Sequence, residues 1–320
     1  MLGILSAIVP LFLVVAVGYV LTRAGVFSRS QMSVLATYVV KVGLPTLVFV
    51  NVSGRSLGEI LNPTYLLVYA IAAMAMVGLA RVWARTRSMP PARAATMSLA
   101  VSGTNNGFVG FPLFLLLIPE VAGLAIGMDM LVDNVLIIPV ALAVFEAASG
   151  QGTPLGRRLR GIAVRVITHP LVIAIILALV LTALGLTLPA MIDSAVQLVA
   201  ESSSAVALFS IGGMLVGLRL HGQRLDLSAT VAAKLVVMPS IAVGLVLLLP
   251  VLGLPALEPE LTAAVILTCA LPSMSIAAAF GEQYGEGEFG AAALLLSTAL
   301  SFPSLTGWLV ALSALGWLPS

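Results

Sequence analysis

The chain reads as an all-α integral membrane protein of ten transmembrane helices arranged as two inverted five-helix repeats, and three observations predict it. Of 320 residues, 60% are hydrophobic and 9% charged, with a mean hydropathy of +1.16, far outside soluble usage. Apolar stretches long enough for a hydrocarbon core of roughly 30 Å, about 20 helical residues, recur ten times. The cations fill alternate loops between them. The same composition excludes disorder, which needs low hydrophobicity and high charge. With a net charge of +2 and no basic face interleaved with aromatics, no nucleic acid is expected as a partner. The runs are continuously apolar, whereas barrel strands alternate over about ten residues. The single cysteine, Cys269, lies in an apolar stretch, so no intramolecular disulfide forms.

The expected spans are 3–22, 32–52, 63–84, 94–117, 121–147, 166–187, 194–218, 227–250, 259–281 and 288–312. Span 1 has no basic region before it and is too long for a typical signal core, so it is expected to stay as a helix. Spans 1 and 2 flank Arg23 and Arg29, spans 3 and 4 flank Arg81, Arg85, Arg87 and Arg93, spans 5 and 6 flank Arg157, Arg158, Arg160 and Arg165, and spans 7 and 8 flank Arg219 and Arg224. The opposite loops hold Arg55 as their one cation, beside Glu59, Glu120, Asp193, Glu258 and Glu260. The arginine-rich side is therefore expected to be cytoplasmic, with both termini extracytoplasmic.

The longest polar interruption, 148–161, separates 1–147 from 162–320, five spans in each. Five is odd, so two homologous halves enter the membrane in opposite orientations. Pro139 in span 5 and Pro303 in span 10 each follow a polar residue, Asp133 and Ser297, by six positions, and both pairs are 164 residues apart. With that offset Asn105 to Gly107 falls at Cys269 to Leu271, beside Pro272. Coincidence among proline-rich helices is the other reading.

Spans 4 and 9 carry the most unusual chemistry. Span 4 contains SLAVSGTNNGFVGFPLF, with Thr104, Asn105, Asn106, Gly107 and Pro112, and span 9 contains ILTCALPSMSIAAAF, with Pro272, Ser273 and Ser275. Proline removes a donor and clashes with the preceding turn, and glycine lets the backbone leave helical geometry. Both helices are expected to be discontinuous, which a membrane tolerates only where the freed groups meet protein, water or ligand. Half-helix N-termini at mid-depth suit an anionic group. A kinked helix with small residues for packing is the alternative. On the ligand reading, alanine at Asn105 or Asn106 weakens binding and leaves the fold intact.

The SGTNNGFVGFPL stretch resembles the Asn-Gly-(Phe/Tyr)-x-Gly-x-Pro segment of the auxin efflux carrier family, which includes plant auxin exporters and bacterial malate and malonate carriers. KVGLPTLVF (Lys41 to Phe49), HPLVIAIILALVLTALGLTLP (His169 to Pro189) and ALPSMSIAAAFGEQYG (Ala270 to Gly285) are also similar to that family. The resemblance implies a scaffold of spans 1, 2, 6 and 7, a transport domain of spans 3–5 and 8–10, a substrate site where broken spans 4 and 9 cross, and a homodimer. One departure stands out: members often carry an amide shortly after the span 9 proline, whereas 273–279 offers Ser273 and Ser275.

Ionisable residues inside spans are costly and normally face a partner or water. They are Lys41, Asp129, Asp133, Glu201 and Lys234. The only two lysines are in this set while the other cations are arginine, which points to a compact ammonium at those positions; snorkelling to the interface is the other reading. Asp129 and Asp133 share a helix face. Asp133 and Lys234 are expected within direct or single-water reach, the ammonium standing where sodium-coupled relatives bind a metal ion. No phosphate-loop or zinc-ligand spacing occurs, so neither cofactor nor metal is expected, and His169 and His221 fall in loops. An intramembrane hydrolase would need a base beside its serine, which the sequence does not place.

The expected function is thus not enzymatic: a secondary transporter of small carboxylates by alternating access, in a bacterial inner membrane. A sodium-coupled organic-anion symporter of the bile-acid type is the runner-up, and an intramembrane enzyme or receptor the third. Single cysteines near Arg87, Arg158 and Arg224 should react with an impermeant thiol reagent only from the cytoplasm, and ones near Glu59, Asp193 and Glu258 only from outside. Labelling of both groups from one side would remove the ten-span topology.

Overall fold

The computed structural model describes residues 2–53, 62–149, 168, 170–217 and 224–318. Arg55, Glu59, Arg157, Arg158, Arg160, Arg165, His169, Arg219, His221 and the linker from 150 to 161 lie outside the described residues. What is described is helical without a strand; Thr104 and Ser273 form an isolated antiparallel bridge. Six helical stretches are long and apolar enough to cross a membrane: Arg29–Val50, Pro63–Thr86, Pro119–Ala148, Ala190–Met214, Arg224–Leu248 and Gly287–Ala314.

The chain divides into two compact units. The first comprises Met1–Asn62, Gly107–Met130 and Val164–Gly217, the second Pro63–Asn106, Leu131–Ala163 and Leu218–Ser320. In the first unit, α1 (Leu2–Arg23) packs on the helix Ala190–Met214. Their backbones approach closely, for a Cβ built on Gly18 would collide with the Phe209 carbonyl and one on Gly212 with that of Val15. Lipid tails are as apolar as leucine, so association in the membrane rests on such close packing of small residues.

In the second unit, α2 (Pro63–Thr86) buries Tyr65, Val68, Tyr69, Ala72, Ala73, Met76 and Ala80 along one face, the three-to-four-residue spacing of a helix stripe. It is followed by α3 (Pro91–Ser102). The later helices of the unit are α4 (Ile138–Ser149), α5 (Arg224–Ala232), α6 (Met238–Leu248), α7 (Pro259–Ala270), α8 (Ile276–Gln283) and α9 (Gly287–Ala314).

Among the described residues four π-helical turns interrupt the helices: Val39–Gly43, Asn106–Gly110, Asp133–Ile137 and Ala233–Val237. Each ends two residues before a proline, namely Pro45, Pro112, Pro139 and Pro239. Proline offers no N–H to the carbonyl four residues back and its ring clashes with it; a widened turn relieves the clash. The carbonyl orphaned by Pro239, that of Leu235, accepts instead from Ser304 Oγ at 2.9 Å and Trp308 Nε1 at 3.0 Å on α9.

The turn after α2 satisfies its last carbonyls with two bonds, Ser88 N–H to Arg85 O at 3.2 Å and Met89 N–H to Ala84 O at 2.9 Å. In this Schellman arrangement the pivotal residue takes a left-handed conformation that favours glycine. Gly25 and Gly185 occupy it after other helices, whereas here Ser88 does, with φ 50°. Ser88→Gly should remove left-handed strain of about 1–2 kcal/mol and add about 0.4–1 kcal/mol of unfolded-state entropy. The net is a gain, so the melting temperature should rise by about 1–3 °C; a fall would contradict this account of the turn.

Candidate functional site

In the second unit, α3 ends at Ser102 and helical structure resumes at Asn106, while α7 ends at Ala270 and α8 starts at Ile276. The two interruptions satisfy each other. Asn105 N–H donates to Pro272 O at 2.9 Å, and Met274 N–H donates to Gly103 O at 3.3 Å. Ser273 N–H donates to Ser297 Oγ of α9 at 3.1 Å. Gly103 is required for the approach, since a Cβ there would run into the Met274 side chain. The break in span 9 therefore lies at 271–275, a few residues beyond the Cys269 to Leu271 register that the 164-residue offset marks, and Cys269 is a buried residue inside α7.

Around this crossing is a buried polar network. Tyr69 OH donates to Asp133 Oδ1 at 2.6 Å, and Asn106 Nδ2 donates to Asp133 Oδ2 at 2.9 Å. Tyr69 OH also lies 2.8 Å from Thr104 Oγ1; because its one proton goes to Asp133, Thr104 is the donor in that bond. Lys234 is buried in the turn Ala233–Val237, and its Nζ lies 3.0 Å from Met238 Sδ. Thr104, Asn106, Asp133, Lys234 and Ser273 are all buried. Two polar atoms at the crossing have no hydrogen-bond partner: Asn106 Oδ1, in a residue 1% exposed, and Ser273 Oγ, in one 0% exposed.

The structure thus brings together Thr104, Asn106, Pro272, Ser273 and Asp133, with Asn105 joined through its backbone, while Lys234 is buried in the same unit. Ser275 is exposed in the second unit, and Gly107 and Pro112 are buried in the first. Asp129 is buried in the first unit, whereas Lys41 and Glu201 are exposed there. Among the described residues no three His, Cys, Asp or Glu gather to hold a metal. Sequence reasoning missed Tyr69. The available signal was a pair of tyrosines, Tyr65 and Tyr69, one turn apart in an otherwise apolar span; Tyr65 OH lies 3.2 Å from Thr268 Oγ1.

Long apolar helices around two mutually paired helix breaks, with unfilled polar valences at the pairing, define a membrane-spanning class of protein with a buried polar interruption. The membrane transport protein family matches residues 3–155 and 156–309. The chain belongs to this family, that of the auxin efflux carriers. It is similar to a protein of Rhizobium meliloti provisionally named a malonate transporter, 26% identical over 97% of this chain and 96% of that one. The uncharacterized transporter YfdV of Escherichia coli is 25% identical over 72% of this chain and 74% of its own length. An uncharacterized transporter of Methanothermobacter thermautotrophicus is 24% identical over 97% and 99% respectively. Family and relatives mark this chain as a multi-pass membrane transporter rather than an enzyme.

Tyr69→Phe removes the hydroxyl shared by Asp133 and Thr104 and should cost about 1–3 kcal/mol, the range for stranding a buried polar group. Thr104→Val added to it should cost less than the two single effects together, because both act on one chain of bonds. Additive effects on the melting temperature would mean the three groups do not act as a network.

Proposed function

We propose that the protein carries small carboxylates, malonate- or malate-like or auxin-like, across the bacterial inner membrane by elevator-type alternating access, as a homodimer of ten-helix protomers built from two inverted five-helix repeats. The observation that carries this reading is the pair of unfilled polar atoms, Asn106 Oδ1 and Ser273 Oγ, at the paired helix breaks. Buried polar atoms without partners are rare and costly, and at a discontinuous helix a ligand is one means of satisfying them. Helical segments start beside them at Asn106 and Ile276, and helix N-termini favour an anion. Asn106 already donates to Asp133, so its oxygen wants a donor. A singly protonated dicarboxylate supplies both requirements, a carboxylate for the helix ends and Ser273 and an acid proton for Asn106 Oδ1.

The division of the chain supports the assignment of roles. Residues of spans 1, 2, 6 and 7 fall in the first unit and spans 3 and 8–10 in the second, which supports a scaffold and a moving domain, whereas spans 4 and 5 are divided, Gly107–Met130 falling in the first. The identity of the Rhizobium meliloti relative favours malonate as the first solute to try. On this reading the buried Lys234 ammonium stands in for a metal ion, so transport proceeds without sodium.

Asn106 holds Asp133 as well as facing the crossing, so alanine there lowers stability and binding together, which revises the expectation that the fold would be untouched. Ser273→Ala is the cleaner variant. Removing an unpartnered buried hydroxyl should leave the melting temperature unchanged or raise it. The apparent affinity for malonate, read as transport current on a solid-supported membrane, should fall by up to about tenfold, the equivalent of one hydrogen bond. Unchanged affinity would take Ser273 out of the site, and sodium-stimulated current in the unmodified protein would favour the bile-acid type of symport.

A further inference from the structure

We propose that a second site, at the arginine-rich end of the second unit, binds a phosphate group, that of an anionic phospholipid headgroup or of soluble phosphate. A cavity of about 280 Å³ opens between the end of α2, the start of α3 and the end of α4. Ligand pockets for whole drug-sized molecules run from roughly 300 Å³ upward, so this one suits a small group or a headgroup.

Four arginines lie on this stretch of chain, and their partners separate them. Arg87 Nε lies 3.7 Å from Asp226 Oδ1, and Arg93 Nε lies 2.8 Å from Glu286 Oε2. Arg81 and Arg85 pair with no carboxylate among the described residues, and these are the two that line the cavity. They are four residues apart, on one face of α2, where like charges repel. An anion between them turns that repulsion into attraction, and guanidinium forks match phosphate oxygens in twos. Among the described residues no acidic side chain lines the cavity, while Ala84, Ala94, Val144 and Ala147 give it an apolar wall. The start of α3 at Pro91 also faces it, with no side chain capping that helix end.

Depth favours the lipid as the source. Arg85 is in the last turn of a 24-residue apolar helix, the level at which a spanning helix leaves hydrocarbon for headgroups. The site is separate from the helix crossing, so it stands whether or not the carboxylate reading does.

Native mass spectrometry of the full-length protein in neutral detergent tests this with dioleoyl phosphatidylglycerol against dioleoyl phosphatidylcholine. The anionic lipid should be retained about tenfold better or more, since each cation near an anionic headgroup adds several-fold. Arg81→Gln with Arg85→Gln should abolish the preference, Arg81→Lys with Arg85→Lys should keep part of it, and Arg87→Gln should keep it whole. The single glutamine variants carry the same readout should the double one not fold. If lipids show no preference but millimolar inorganic phosphate raises the melting temperature of the unmodified protein and not of the glutamine variant, soluble phosphate is the source. If neither probe distinguishes the unmodified protein from the glutamine variants, the proposal is wrong.

Discussion

A backbone N–H or C=O facing hydrocarbon without a partner costs several kcal/mol, and the second unit is organised around meeting that cost at two places at once. When α3 stops at Ser102 it frees groups that α7, stopping at Ala270, also frees. Neither interruption could survive alone at that depth. Laid against each other, Gly103 to Asn105 and Pro272 to Met274 exchange the bonds each has lost. The pairing explains the local sequence: glycine at 103 admits the other chain, proline at 272 has no donor to lose, and serine at 297 takes the Ser273 N–H that the pairing leaves over.

The same constraint accounts for the four π-helical turns. Proline within a membrane helix orphans one carbonyl, and the chain must widen beforehand and find that carbonyl a new donor. At Leu235 the donors come from α9, whose Ser304 and Trp308 converge on it, so the irregularity in one helix is held by a neighbour. Three of the widened turns present an unusual polar residue, Asn106, Asp133 and Lys234, at or next to their first position. The distortion imposed by a proline a few residues downstream thus coincides with the unusual polar residue.

This coupling is why the site was partly legible in the sequence. Consecutive asparagines before a Gly-x-x-Gly-x-Pro run, and a proline beside serines in span 9, announce breaks because apolar helices have no other use for them. The membrane class followed from composition, and the polar residue six positions before Pro139 was readable as a pattern. Other features could not be read that way. Tyr69 sits in a regular helix and becomes part of the site only through the fold, which sets it against Asp133. Lys41 shares with Lys234 its rarity and its π-helical turn, yet one is exposed and the other buried. Sequence position along a span gives depth, not which face meets protein, and nothing in the local pattern separates the two lysines.

Within the network, filled and unfilled valences divide atom by atom. Asp133 has a donor on each oxygen, from Tyr69 and Asn106, so it is filled by the protein itself. A carboxylate oxygen accepts, which forces the Asn106 amide to turn its nitrogen inward and its oxygen away. The rotamer of Asn106 is therefore held by Asp133, and its one unfilled atom is an acceptor of fixed direction. Ser273 is constrained differently: its backbone is tied to Ser297 and its hydroxyl is left to rotate. On the proposed reading, a fixed acceptor and a rotatable hydroxyl would select for a solute with at least one donor while tolerating variation in its second polar group, because only the serine can adapt.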